Sequence, residues 1–200
     1  MKLKIILASA SKRRSRILQE CGIPHKVVIS NVTEKMDHKM GAEFNVRHNA
    51  RVKAEKIAAG YKHGFVIGAD TVVLLGQRLI GKPKDKKEAA ALLEAFSGKT
   101  ILVYTGLCVI DAGKRKSAEG VDISKVHVRR LSPEQIAGFV DKTVHRDKAG
   151  GFSIEGRGTF IFDNIEGSFY NVLGLPMMKL NELFEKLGVD LCGASNECIG

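Results

Sequence analysis

The most chemically pointed feature of this chain is an aspartate inside a run of apolar and β-branched residues. Asp70 follows Val66-Ile67-Gly68-Ala69 and precedes Thr71-Val72-Val73. A carboxylate on a core strand is costly unless it binds a metal, joins an ion pair or takes up a proton. Gly68 and Ala69 would let a ligand come close to the backbone. The competing reading is a turn aspartate between two strands, with the run Phe65 to Leu75 broken at Gly68-Ala69-Asp70. The β-branched flanks favour the functional acid.

Groups suited to phosphate stand near the N-terminus. Ser9, Ser11, Arg13 and Arg14 fall where an apolar run, Leu3 to Leu7, passes through Ala8-Ser9-Ala10-Ser11 into a helix predicted over Lys12 to Cys21. A strand-to-helix junction exposes unpaired backbone N–H groups, and Arg binds phosphate oxygens with paired charge-assisted bonds. An N-cap serine ahead of a solvated basic helix face fits the same spacing equally well. Lys82, in Gly81-Lys82-Pro83, sits on a loop with a defined backbone and could act as a point cation, but surface lysines are common in this chain and the spacing alone favours an ordinary exposed one. Glu34 and Lys53 carry no local signal separating them from exposed charges. The stretch Asp147 to Gly158, with four glycines and Glu155 and Arg157, reads either as a loop shaped for close approach to a nucleobase or as a surface loop.

Other chemistries are excluded by spacing. Ser97-Gly98-Lys99-Thr100 imitates the end of a P-loop, but the glycine required five positions before Gly98 is Leu93. The six histidines show no HExxH spacing, and the four cysteines form no CxxC pair, so zinc chemistry is not expected and reduced thiols are. The net charge of +10 attracts polyanions, and nucleic acid, anionic lipid and phosphorylated small molecules fit it alike. Aromatic residues make up 6% and Trp is absent, which weakens a single-strand stacking platform. No apolar run reaches the roughly 20 residues of a membrane span, and Met1 to Leu7 lacks a signal-peptide pattern. A cytoplasmic protein is expected.

These groups need a scaffold, and the chain of 200 residues has room for one domain. Periodicity predicts strands at Val27–Ser30, Ile101–Ile110, Val121–Arg130 and Phe160–Phe162. It predicts helices over Ala42–Ala59 and Asp85–Phe96, one opened by Ser132-Pro133-Glu134, and a last one from Pro176 to about Leu187. Gly76-Gln77-Arg78 reads as a hairpin turn. Hairpins among helices argue for an α/β fold with a mixed, partly antiparallel sheet and flanking helices. Residues 1–190 are read as one domain, and 191–200 as a flexible tail.

Seven segments, in order, resemble the Maf family of nucleoside triphosphate pyrophosphatases. They are Ala8 to Arg14, Ala50-Arg51-Val52-Lys53-Ala54, Gly68 to Val73, Gly81-Lys82-Pro83, Tyr104-Thr105-Gly106, Asp147-Lys148-Ala149-Gly150 and Gly167 to Pro176. The resemblance implies an inosine triphosphate pyrophosphatase-like fold with two lobes around a central cleft. It also implies hydrolysis of a triphosphate to monophosphate and pyrophosphate, a divalent metal (Mg²⁺ or Mn²⁺) and a homodimer. By the same resemblance Ser9, Arg13, Arg14, Lys53 and Lys82 would hold phosphate. Asp70 would activate water or hold the metal, with Glu34 as second acid. The branch preferring dTTP and UTP carries Gln where this chain has Glu155. The branch preferring 7-methyl-GTP carries Glu there, without the Gly156-Arg157-Gly158 that follows. A carboxylate suits a guanine-type N–H edge; Arg157 and its surroundings lean towards the pyrimidine branch. The rivals are a nucleic-acid-binding or septum-formation regulator and an ITP-preferring enzyme.

Overall fold

The computed structural model of the protein describes residues 3–142, 149–152 and 154–194. Its centre is a seven-stranded mixed sheet in the order β2-β1-β3-β5-β6-β7, with β4 paired to β3. Strand β1 (Ile5–Leu7) runs parallel to β2 (His25–Val27) and β3 (Phe65–Leu75). The long strands β3, β5 (Thr100–Asp111) and β6 (Lys116–Val128), then β7 (Phe162–Glu166), form an antiparallel meander, and β4 (Arg78–Ile80) folds back on β3. The mixed sheet agrees with the expectation from the hairpins.

Helices start where the sequence places caps. Ser11 caps α1 (Lys12–Glu20), Asp85 caps α3 (Lys86–Phe96), and Ser132 with Gln135 forms a capping box on α4 (Pro133–Asp141). After α2 (Gly41–Ala58) the remaining helices are α5 (Phe169–Leu173), α6 (Met177–Lys186) and the four-residue α7 (Leu191–Ala194). Leu191 is buried in the main core; residues 195–200 lie outside the described part of the chain. Two sequence expectations are corrected. The second strand lies at His25–Val27, not Val27–Ser30. Residues Gly156–Ile161 form 3₁₀ turns, so β7 begins only at Phe162.

A third correction concerns the site. Strand β3 is not broken at Gly68-Ala69-Asp70; it pairs with β5 throughout, with Gly68 opposite Cys108 and Asp70 opposite Gly106. Alternation assigns its two faces. Ile67, Ala69 and Val73 enter the main core with Phe96, Leu180 and Phe184. Val66 and Val72 lie on the other face, against Ala50 and Ala54 or Ala42 and Val46 of α2. Gly68 and Asp70 share that face. The glycine serves contact rather than a turn: a Cβ on Gly68 would stand 2.1 Å from the Ala50 carbonyl oxygen, and one on Gly106 would stand 2.4 Å from that of Val46. Helix α2 therefore lies almost directly on the β3–β5 backbone, and its small residues permit this.

Candidate active site

Asp70 is only 5% exposed and points from β3 at α2. Its Oδ1 accepts a hydrogen bond from Lys53 Nζ at 2.8 Å, and its Oδ2 accepts one from Asn49 Nδ2 at 2.9 Å. Lys53 is about as buried, a placement that no local signal in the sequence marked. Its ammonium also bonds to Glu34 Oε1 at 2.7 Å and the Ala69 carbonyl at 3.2 Å, so all three N–H groups have acceptors. A buried ammonium beside two carboxylates offsets much of its desolvation cost. Partial burial would raise the Glu34 pKa, but Lys53, then Lys82 and Arg14, outweigh it and hold the carboxyl below its ordinary value. Glu34 therefore stays ionised at neutral pH. Any stability it contributes is present above its unfolded pKa and is lost as pH falls through the lowered folded value.

The junction after β1 folds as its residues require. Ser11 Oγ accepts from Arg14 N as the cap of α1, and Ser9 Oγ accepts from Ser11 N at 3.2 Å. Arg14 then turns inward. Its Nε donates to the Gly174 carbonyl at 2.7 Å, Nη1 to the Ala69 carbonyl at 2.9 Å and to Ser9 Oγ at 3.2 Å, and Nη2 to Thr71 Oγ1 at 2.9 Å. Burial lowers its pKa, with Asp70 and Glu34 opposing. Four of its five N–H groups are thus spent on the framework, tying α1 to β3 and to the turn after α5. The tie continues inward. Thr71 Oγ1 meets Thr105 Oγ1 at 3.0 Å, Thr105 donates to the Asn171 carbonyl, and Asn171 Nδ2 donates to Ser124 Oγ at 2.9 Å. Arg14→Lys keeps the charge but cannot reproduce this fork. We expect it to lower the unfolding free energy by about 2–4 kcal/mol, read from urea melts.

Two adjoining cavities follow. One, of about 60 Å³, is lined by Ser11, Arg13, Arg14, Glu34, Asp70, Thr71 and Lys82, with Val73, Val103 and Phe152 behind them. The other, of about 320 Å³, is lined by Ser9, Ser11, Asn31, Glu34, Lys53 and Lys82. Eight of the residues singled out in the sequence (Ser9, Ser11, Arg13, Arg14, Glu34, Lys53, Asp70 and Lys82) line one or both of these neighbouring spaces. Glu155 and Arg157 line neither; Glu155 forms an ion pair with Arg16 on the exposed side of α1. Asp147 and Lys148 lie outside the described residues. Asn49 was missed in the sequence, although Asn45, Asn49 and Lys53 recur every four residues among the small residues of α2, which puts them on one stripe.

A mixed sheet carrying an acid and several cations around an anion-sized cleft defines a phosphate-handling α/β protein, and the chain belongs to the Maf-like protein family, whose model matches residues 4–187. Among its relatives is the dTTP/UTP pyrophosphatase of Caldicellulosiruptor bescii, 38% identical over 192 residues, 94% of this chain and 96% of the relative. The dTTP/UTP pyrophosphatase of Dictyoglomus thermophilum is also 38% identical, covering 96% of this chain and 100% of the relative. Among solved structures, a HAM1 protein from Coxiella burnetii aligns with a TM-score of 0.43 at 15% identity, over 64% of this chain and 74% of that one.

Proposed function

We propose that this protein is a nucleoside triphosphate pyrophosphatase that hydrolyses dTTP and UTP to the monophosphate and pyrophosphate. The observation that carries the reading is the buried Asp70, held at both oxygens and facing a cleft lined by four cations from three separate segments. The 38% identity to dTTP/UTP pyrophosphatases over nearly the full length supports the substrate class.

The α–β anhydride bond breaks as a water oxygen bonds to phosphorus; pyrophosphate leaves, and the water's proton passes to Asp70. Negative charge spreads over the phosphoryl oxygens in such a transition state, so fixed cations assist without covalent chemistry. Lys82, exposed at the rim, and Arg13 supply that charge, together with backbone N–H groups at the start of α1. Ser9 orients Arg14 and the turn that presents those groups.

A divalent metal, Mg²⁺ or Mn²⁺, is part of the proposal. Among the described residues no cluster of three or more His, Cys, Asp or Glu could cage an ion. Glu34 and Asp70 nonetheless fit Mg²⁺, which is commonly held by one or two carboxylates plus substrate phosphates and water. When bound there it would neutralise phosphate charge and make the attacking water more acidic. We further propose a homodimer in the cytoplasm; among the described residues no helix is long and apolar enough to cross a membrane.

The test is pyrophosphate release from dTTP, UTP, ITP and 7-methyl-GTP, each with Mg²⁺ and with Mn²⁺. For dTTP and UTP, kcat/KM is expected to exceed that for the other two at least about tenfold, a difference of about 1.4 kcal/mol in transition-state binding. Dominant 7-methyl-GTP turnover would instead assign base selection to Glu155. No release from any nucleotide, with tight binding of labelled DNA at moderate salt, would overturn the enzyme reading in favour of a nucleic-acid binder.

A further inference from the structure

Helix α2 holds two buried asparagines one turn apart, Asn45 at 1% and Asn49 at 4% exposure. Both face the segment between β2 and α2, which has no regular secondary structure up to the turn at residues 38–40 and carries Glu34. Asn45 Oδ1 accepts from Asp37 N at 2.7 Å while its Nδ2 donates to the Asp37 carbonyl at 2.8 Å. Asn49 repeats the pattern two residues earlier: Oδ1 accepts from Lys35 N at 2.9 Å and Nδ2 donates to the Lys35 carbonyl at 2.8 Å. Each side-chain amide thus pairs with both backbone groups of one residue, as a neighbouring strand would. Residues 35 and 37 point the same groups the same way, and a helix turn separates the two amides to match. The loop is thereby registered along α2 by a two-rung side-chain ladder.

The two rungs differ in one respect. The second N–H of Asn45 donates to the Gly41 carbonyl, within its own helix end. That of Asn49 donates to Asp70 Oδ2. One planar amide therefore spans the residue next to Glu34 and the carboxylate of Asp70. Because the amide is rigid, it sets the spacing of the two acids, with Lys53 between them at 2.7 and 2.8 Å.

We propose that Asn49 is a positioning residue that holds the Glu34 loop in register with Asp70, so the acid pair is assembled before nucleotide arrives. The role of the acid pair rests on the pyrophosphatase reading; the ladder itself does not. Partners that orient such groups from behind are typically worth about 10–100-fold in activity or metal affinity when removed.

The test compares three variants by turnover of dTTP and by site-resolved amide hydrogen exchange. Asn49→Ala is expected to lower kcat by about 10–100-fold with KM changed less than about threefold. It should also speed exchange of the Lys35 amide while leaving β3 protected. Asn49→Asp can still accept from Lys35 N but sets a carboxylate against Asp70. It should keep the Lys35 amide slow and still lose turnover at least as severely. Asn45→Ala should free the Asp37 amide and cost less turnover than either. Unchanged Lys35 exchange in Asn49→Ala, or wild-type turnover in Asn49→Asp, would overturn the proposal; the second result would leave Asn49 as a loop tether alone. If Asn49→Ala does not fold, Asn49→Asp carries the test. Should the wild-type protein release no pyrophosphate, the function fails, while the exchange rates still report whether the ladder exists.

Discussion

Asp70→Asn is expected to lower kcat for dTTP by roughly 10²–10⁴-fold, the range that a positioned proton acceptor contributes. The substitution keeps shape and hydrogen-bonding capacity but removes the charge and the basic oxygen. The new amide oxygen can still accept from Lys53 Nζ. The new N–H₂, however, replaces the Oδ2 that accepts from Asn49 Nδ2. Two donors then face each other, so a stability cost accompanies the catalytic one. Taking one member from a buried ion pair costs about 3–5 kcal/mol when the other is left uncompensated. Here Lys53 keeps Glu34 and the Ala69 carbonyl, so the lower end applies. The measurement is steady-state pyrophosphate release at saturating dTTP, beside a urea melt showing that the variant is still cooperatively folded. Turnover within a factor of about three of wild type would remove Asp70 from the chemistry.

The second large effect is structural in origin. Gly68→Ala adds one methyl group, yet its carbon would stand 2.1 Å from the Ala50 carbonyl oxygen and 2.9 Å from Ala54 N, both backbone atoms of α2. No rotamer relieves such a clash, because neither neighbour is a flexible side chain end. The helix must move off the sheet. Overpacking a close-packed site costs about 1–3 kcal/mol, occasionally more, and this contact is at the severe end. A loss of about 3 kcal/mol in unfolding free energy is therefore expected from urea melts. Activity should fall further than stability explains, because Asn49 and Lys53 ride on the displaced helix. An Asn49–Asp70 bond of 2.9 Å does not survive a shift of 1 Å or so. A folded Gly68→Ala protein with wild-type stability and turnover would refute the account of why α2 lies so close.

Several elements were legible in the sequence because local physics decides them. Ser11, Asp85 and Ser132 cap helices since each is a short side chain with an acceptor placed before a helical run. The hairpin at Gly76-Gln77 separates strands of β-branched and apolar residues, so this antiparallel part of the sheet was readable too. The short helix Phe169–Leu173 was not, since five residues carry too little periodicity; only the Ser168 cap and the left-handed Gly174 at its end mark it.

By itself the chain determined the fold class, the ordered motifs that place it in its family and the residue types available for phosphate: acids, lysines, arginines and small turn residues. Tertiary structure decided what each of them does. Gly68, which reads with Ala69 and Asp70 as a break in β3, is with Gly106 part of the surface on which α2 rests. Lys53, indistinguishable in sequence from a solvated lysine, is buried between Glu34 and Asp70. Arg14, which reads as a phosphate fork, spends most of its donors on Gly174, Ala69, Thr71 and Ser9. The reason is common to all three. Burial and hydrogen-bond partners come from residues distant in the chain, here from 5 to 160 positions away, and neither periodicity nor spacing carries that information.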